Sequence, residues 1–322
     1  MTTFRVHDLT LRSRPSGDDG RLDAYYLAIA HALDAAGVDV VEVASPNGGL
    51  DAATLRWCET VAAGLDRARL AITLSPDGLE VADARRLLRH GVGVVRVLAA
   101  PQAMPEACRA VGAMRRSGFE VDAVLPWSGC DAARLAARAS GLGEAGAHSV
   151  TIADMRGRLL PAAAAEIFAT LAESLPAGTT PGIEAHPSLQ LGVANTVIAA
   201  DHGARRLCGT LRGVGRGVGA VPLEMLVAAV GRLGHRPRAC VFDLIDIAED
   251  FARPLGRLLG GRPFAIRPAG GKRPPAYAAA SRGAAAVRPV SALRPAGRRG
   301  EPPPPCRDGR DPTAPTGGAY RS

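Results

Sequence analysis

Polar residues of types that can do chemistry recur along this chain, each just past a short apolar run. Asp8 and Arg12 follow the first run, Ser45 and Asn47 the second, Asp154 and Arg156 the sixth. Glu184 and His186 lie at the seventh, and a glycine-rich loop, Gly213 to Gly219, follows the eighth. Together these positions offer acid, base and cation. A carboxylate and an imidazole two residues apart on a strand face the same side. Glu184 and His186 can therefore share a hard divalent ion, or simply pair with each other. Arg12 can act on a ligand or close the surrounding structure as a structural arginine, and Asp154 is open to either reading. The Gly213 to Gly219 alternation does not satisfy G-x-G-x-x-G in any register, so a tight turn is read there in preference to a dinucleotide loop.

The apolar runs that must position these residues have strand length and alternate with longer segments of helical periodicity. Strands are predicted at 4–6, 38–43, 70–74, 94–98, 121–125, 149–152, 182–185 and 207–211. Helical segments such as 22–36, 82–90 and 162–175 lie between them, several closed by glycine as at Gly37 and Gly91. Eight β/α units in this length fit a closed barrel, with an open doubly wound sheet as the structural alternative. Barrels carry their chemistry on the loops after the strands, which is where the polar residues fall. A further helix is expected from Asp243 to Leu255, with Leu244, Ile247, Ala248 and Phe251 on one face.

Composition sets the outer limits. With 322 residues, 47% hydrophobic and only 4% aromatic, the core must be built from alanine, valine, leucine and glycine, which suits α/β layers. From Pro268 onward there are 10 Lys+Arg against 3 Asp+Glu, so +7 of the net +8 belongs to the last 55 residues. The remainder is nearly neutral, and no nucleic-acid partner is expected. Eleven of the 25 prolines share that stretch, a composition that cannot build a core. The organisation expected is thus a barrel over 1–238, a helical extension over 239–267 and a disordered Pro/Ala/Arg-rich tail over 268–322. The six cysteines show no C-x-x-C spacing and read as reduced thiols. No apolar stretch is long enough to span a membrane and the start lacks a secretory pattern, so a cytoplasmic location is the expectation.

Three segments, in order, resemble the 4-hydroxy-2-oxovalerate aldolases, relatives of hydroxymethylglutaryl-CoA lyase. Asp8-Leu-Thr-Leu-Arg12 is similar to the family's D-x-T-L-R-D-G up to the arginine, then departs as Ser13-Arg14. HPSLQLGVAN, His186 to Asn195, resembles H-x-H-H-N-L-S-L-G-V-A-N. GVGRGVGAVPLE, Gly213 to Glu224, resembles G-M-G-x-G-x-G-N-A-P-L-E, with Ala220 where the family has asparagine. Supporting similarity runs through ALDAAGVDVVEVA near residue 40 and through Arg253-Pro254-Leu255, so it covers about residues 4 to 255.

The resemblance implies a TIM barrel that cleaves a 4-hydroxy-2-keto acid, such as 4-hydroxy-2-oxopentanoate, into pyruvate and an aldehyde. An enolate forms on the way, stabilised by fixed positive charge: a divalent Mn or Mg and an arginine. On this chain Arg12 takes the arginine's place, and Glu184 and His186 stand where the family's two strand-seven histidines hold the metal. Asp8 and Asp154 are the expected substrate-binding carboxylates. The family's metal-binding aspartate is replaced by Ser13, and its histidine base falls near Ser16. Those departures raise the alternative of a catalytically degenerate member that binds a keto acid or a partner protein. The resemblance also implies an aldehyde dehydrogenase partner, although the tail has no counterpart of the module that docks it.

Overall fold

The computed structural model describes residues 4–14, 22–43, 50–77, 79, 81–187, 189–215 and 219–252. Eight parallel strands close on themselves in sequence order: β1 (Arg5–Asp8), β2 (Val40–Val43), β3 (Arg69–Leu74), β4 (Val92–Leu98), β5 (Glu120–Pro126), β6 (Ser149–Ala153), β7 (Thr180–Glu184) and β8 (Arg206–Gly209). Strand β1 pairs with β2 on one side and β8 on the other, which completes the barrel. The closed barrel, not the open sheet, is therefore the fold.

Each strand feeds a helix on the outside: α1 (Asp23–Ala35), α2 (Ala52–Ala62), α3 (Val81–Arg89), α4 (Met104–Arg116), α5 (Ala132–Glu144), α6 (Pro161–Ser174), α7 (Gly192–Asp201) and α8 (Leu223–Arg232). Their ends follow local chemistry. Asp51 and Asp131 cap α2 and α5 by accepting the backbone N–H of Thr54 and Arg134. Prolines sit in the first turns of α4 and α6, where no intrahelical N–H is lost. After α1 the chain turns at Gly37 with φ +85°, and a Cβ there would sit 2.7 Å from the Arg238 carbonyl oxygen, so a side chain is excluded twice over.

Helix α9 (Val241–Ile247) continues as a π-helical turn, Ala248–Ala252. Leu244, Ile247 and Ala248 are buried, on the face the spacing predicts. The expected helix beyond residue 252, the rest of the extension and the tail lie outside the described residues. Among the described residues no helix is long and apolar enough to cross a membrane. The five cysteines described are all free.

The strands are buried on both faces, as a barrel requires. Outward residues such as Val41, Ile72, Val95, Val121, Ile152 and Leu207 pack under the helices. The inward positions are unusual. One small apolar cluster, Val40, Ala71 and Val94, lies among His7, Glu42, Thr73, Arg96, Asp122, Thr151, Arg206 and Cys208, all buried. The lumen is an ion-paired core. Gly182 makes space in it, since a Cβ there would meet Thr151 Oγ1 at 2.6 Å and Arg206 Cβ at 3.0 Å.

Candidate active site

The mouth is built up from the end of β1. Asp8 Oδ1 accepts the N–H of Thr10 at 2.8 Å, and Oδ2 accepts the Thr10 hydroxyl at 2.7 Å. The same hydroxyl accepts the N–H of Leu211, past β8, at 2.9 Å. Asp8 and Thr10 thus tie the first and last strands together and fold Thr10–Ser13 into a single 3₁₀ turn. That turn lays Arg12 over the lumen. Its side chain remains 28% exposed, Nη1 donates to Glu184 Oε1 at 3.0 Å, and Nε lies 3.4 Å from Glu42 Oε1. The Nη2 group makes no hydrogen bond among the described residues, which leaves it as the spare donor of a partly exposed guanidinium.

Beneath Arg12 lies a second guanidinium, fully buried. Arg96 Nη1 donates to Glu42 Oε2 at 2.8 Å and to Glu184 Oε2 at 3.0 Å, and Nε donates to Asp122 Oδ2 at 2.8 Å. Asp122 also accepts the hydroxyls of Ser149 and Thr151, and Glu42 accepts that of Thr73. A buried ion costs several kcal/mol unless it is paired and hydrogen-bonded, and here each lumen charge is both.

Ionisation follows from these contacts. Burial favours the neutral acid at Glu42, but the guanidinium of Arg96, then that of Arg12, overrides it and holds the carboxyl well below its usual range. At Glu184 burial is likewise outweighed by Arg12 and Arg96. His7 lies below them, its pKa lowered to about 4 chiefly by burial. Its Nδ1 accepts from Arg206 Nη1 at 3.1 Å, which places the ring proton on Nε2, 3.1 Å from Glu42 Oε2 but short of good hydrogen-bond alignment. Asp8, buried with no cation beside it, is pushed up to about 7 by desolvation.

Arg12 and Glu184 meet at the carboxyl end of the barrel, and His186 lies half-buried two residues beyond Glu184, just past β7. Of the seven histidines it alone follows a strand. Asp8 and Asp154 do not join them as ligand groups. Asp8 holds the Arg12 turn, and Asp154 accepts the N–H groups of Arg158 and Leu159, each at 3.0 Å, bracing the loop into α6. Ser16, Ser45 and Asn47 lie outside the described residues.

Sequence reasoning missed Glu42, Arg96, Asp122 and Arg206. The signal was a lone charge inside an otherwise apolar strand, as in VVEV and VGVVRVL. A strand buried on both faces tolerates such a charge only when a partner waits across the lumen.

The expected Mn or Mg ion does not fit these residues. Ser13 donates its hydroxyl to the Thr10 carbonyl at 2.6 Å and brings no charge. Both oxygens of Glu184 already receive guanidinium N–H groups. An ion bound there would face two fixed cations, with repulsion on the order of 4 kcal/mol per unit charge at 4 Å. Among the described residues no three His, Cys, Asp or Glu side chains are grouped as a metal shell requires.

The HMGL-like family model matches residues 24–250. The 4-hydroxy-2-oxovalerate aldolase of Streptomyces griseus is 36% identical over 270 residues, 79% of this chain and 78% of that one. The enzyme of the same name from Chloroflexus aurantiacus is 32% identical, covering 79% and 77%. Among solved structures, HMG-CoA lyase from Brucella melitensis superposes with a TM-score of 0.65 at 14% identity, over 80% of this chain and all of that one. The carboxyl transferase domain of Rhizobium etli pyruvate carboxylase gives 0.66 at 17%, over 77% and 46%. These superpositions speak for the barrel, and the sequence matches speak for descent: the chain belongs to the HMGL-like family, among the 4-hydroxy-2-oxovalerate aldolases and their relatives.

Proposed function

We propose that the barrel mouth takes a small 2-keto acid and that the chain is a carbon–carbon lyase for a 4-hydroxy-2-keto acid such as 4-hydroxy-2-oxopentanoate. The products are pyruvate and an aldehyde, and the reverse condensation uses the same site. The observation that carries this reading is Arg12, held over the lumen by carboxylates from β2 and β7 while its Nη2 group makes no hydrogen bond among the described residues. Cleavage removes the C4 hydroxyl proton, breaks the C3–C4 bond and leaves the electron pair on the C2 oxygen of an enolate. A guanidinium fixed at that oxygen lowers the barrier because the charge develops only during the reaction. His186, half-buried two residues past the end of β7, is the imidazole assigned to take the hydroxyl proton. By family resemblance an aldehyde dehydrogenase is the partner class that would take the aldehyde product.

The test is exchange of the pyruvate C3 protons in deuterated water, followed by NMR in the presence of manganese, magnesium or a chelator. It reports enolisation without knowledge of the aldehyde. Exchange that disappears in Arg12→Ala supports the reading. A second reading, a site that binds a keto acid without turning it over, is favoured by Ser13 and by the engagement of Glu184 with two guanidiniums. Pyruvate binding with no exchange under any condition would decide for it.

A further inference from the structure

We propose that this mouth holds its 2-keto acid without a divalent ion. The positive charge that meets the ligand's carboxylate and keto oxygens is Arg12, and Glu184 is its counter-ion and not a metal ligand. The inference rests on the mouth being a keto-acid site.

Charge balance is the first support. Arg12 and Arg96 face Glu42 and Glu184 within 3.4 Å, and Asp122, which Arg96 also binds, is shared with Arg206 at 3.9 Å, so three cations meet three anions. A dication added there would leave two positive charges unmatched in a place largely closed to water. Geometry is the second. Glu184 spends Oε1 on Arg12 and Oε2 on Arg96, so no oxygen is left that is not already a guanidinium acceptor. An ion on either oxygen would have to share it with a guanidinium N–H, and so sit in direct repulsion with Arg12, the group the ligand needs, or with Arg96, which is fully buried. The third is the donor that remains. With Nε turned to Glu42 and Nη1 to Glu184, Arg12 is fixed at two of its three nitrogens and keeps Nη2 as the donor for a ligand, and guanidinium N–H groups suit carboxylate oxygens. Ser13, turned back onto the Thr10 carbonyl, supplies no carboxylate to reverse the balance.

The experiment uses the full chain freed of metal with chelator. Manganese is titrated in and its free signal read by electron paramagnetic resonance, while pyruvate affinity is measured by NMR with manganese and with chelator. Manganese should stay free, and pyruvate affinity should differ by no more than about twofold between the two conditions, where coupling through a shared ion gives ~5–150-fold. Arg12→Gln should lose pyruvate binding in both. Manganese that binds the wild type but not Glu184→Gln, or pyruvate that binds only with manganese, overturns the proposal. Manganese held equally by both chains lies elsewhere and leaves it standing. Pyruvate bound in neither condition sinks the keto-acid reading itself, while the manganese signal still decides whether Glu184 is a ligand. The double variant Ser13→Asp/Glu184→His, checked for folding by thermal melt, should gain manganese. A folded double variant that gains none would overturn the assignment of the loss to these two positions.

Discussion

Arg96 is the largest side chain wholly buried in the barrel, and three carboxylates converge on it. Arg96→Met should lower the free energy of urea unfolding by about 3–5 kcal/mol, because the carboxylates stay buried with their shared cation gone. Adding Asp122→Asn should restore part of that loss. A loss below about 1 kcal/mol would mean that water reaches the lumen and that the network is not a core. Arg12 is the opposite case, since its side chain is partly exposed and Glu184 keeps Arg96 if Arg12 leaves. Arg12→Ala should cost only about 1 kcal/mol of stability. If Arg12 meets the enolate, the same change should slow pyruvate proton exchange by ~100- to 1,000-fold. Similar losses of folding and exchange would make Arg12 a structural arginine closing the mouth.

At the scale of elements, the 3₁₀ turn after β1 is what converts a strand end into a site. Thr10→Val keeps the shape but removes the hydroxyl that donates to Asp8 and accepts from Leu211. It should cost about 1–3 kcal/mol, the penalty for buried groups left unsatisfied. It should also slow exchange more than Thr10→Ser, which keeps the hydroxyl; equal rates in the two variants would show that the turn does not position Arg12. The eight strands were legible because each is a short apolar run between helical periods, and all eight predicted runs overlap a strand of the barrel. Errors fell at the ends. The last run extended to Leu211, whereas β8 stops at Gly209 and Leu211 opens a 3₁₀ turn whose Arg212 has φ +50°. Arg12, Glu184 and His186 were legible as strand-end residues, but their partners were not. Pairing across a lumen joins residues as distant in sequence as Arg96 and Glu184, and no local period encodes it.

For the whole molecule, two neighbouring residues oppose each other in how stability depends on pH. His7 has its pKa lowered to about 4 from 6.5, so the unfolded chain binds the extra proton; its contribution is fully present above pH 6.5 and is lost as pH falls towards 4. Asp8 has its pKa raised from 3.8 to about 7, so the folded chain binds the extra proton; its contribution is present at low pH and is lost as pH rises towards 7. Between about pH 4.5 and 6.5 the slopes oppose, each bounded by about 1.4 kcal/mol per pH unit for one proton. These two contributions should therefore nearly cancel, so the wild-type profile should be flatter there than that of a chain lacking one of them. Wild-type stability should fall below pH 4.5, as the depressed carboxylates Glu42, Glu184 and Glu120, the last at about 2, take up protons. His7→Gln removes one slope and leaves the other. Whatever its absolute stability, that variant should become less stable as pH rises from 4.5 to 6.5 in urea titrations taken at half-unit steps. A His7→Gln profile as flat as the wild type's would show that His7 and Asp8 do not balance, and that the lumen is less dry than its contacts imply.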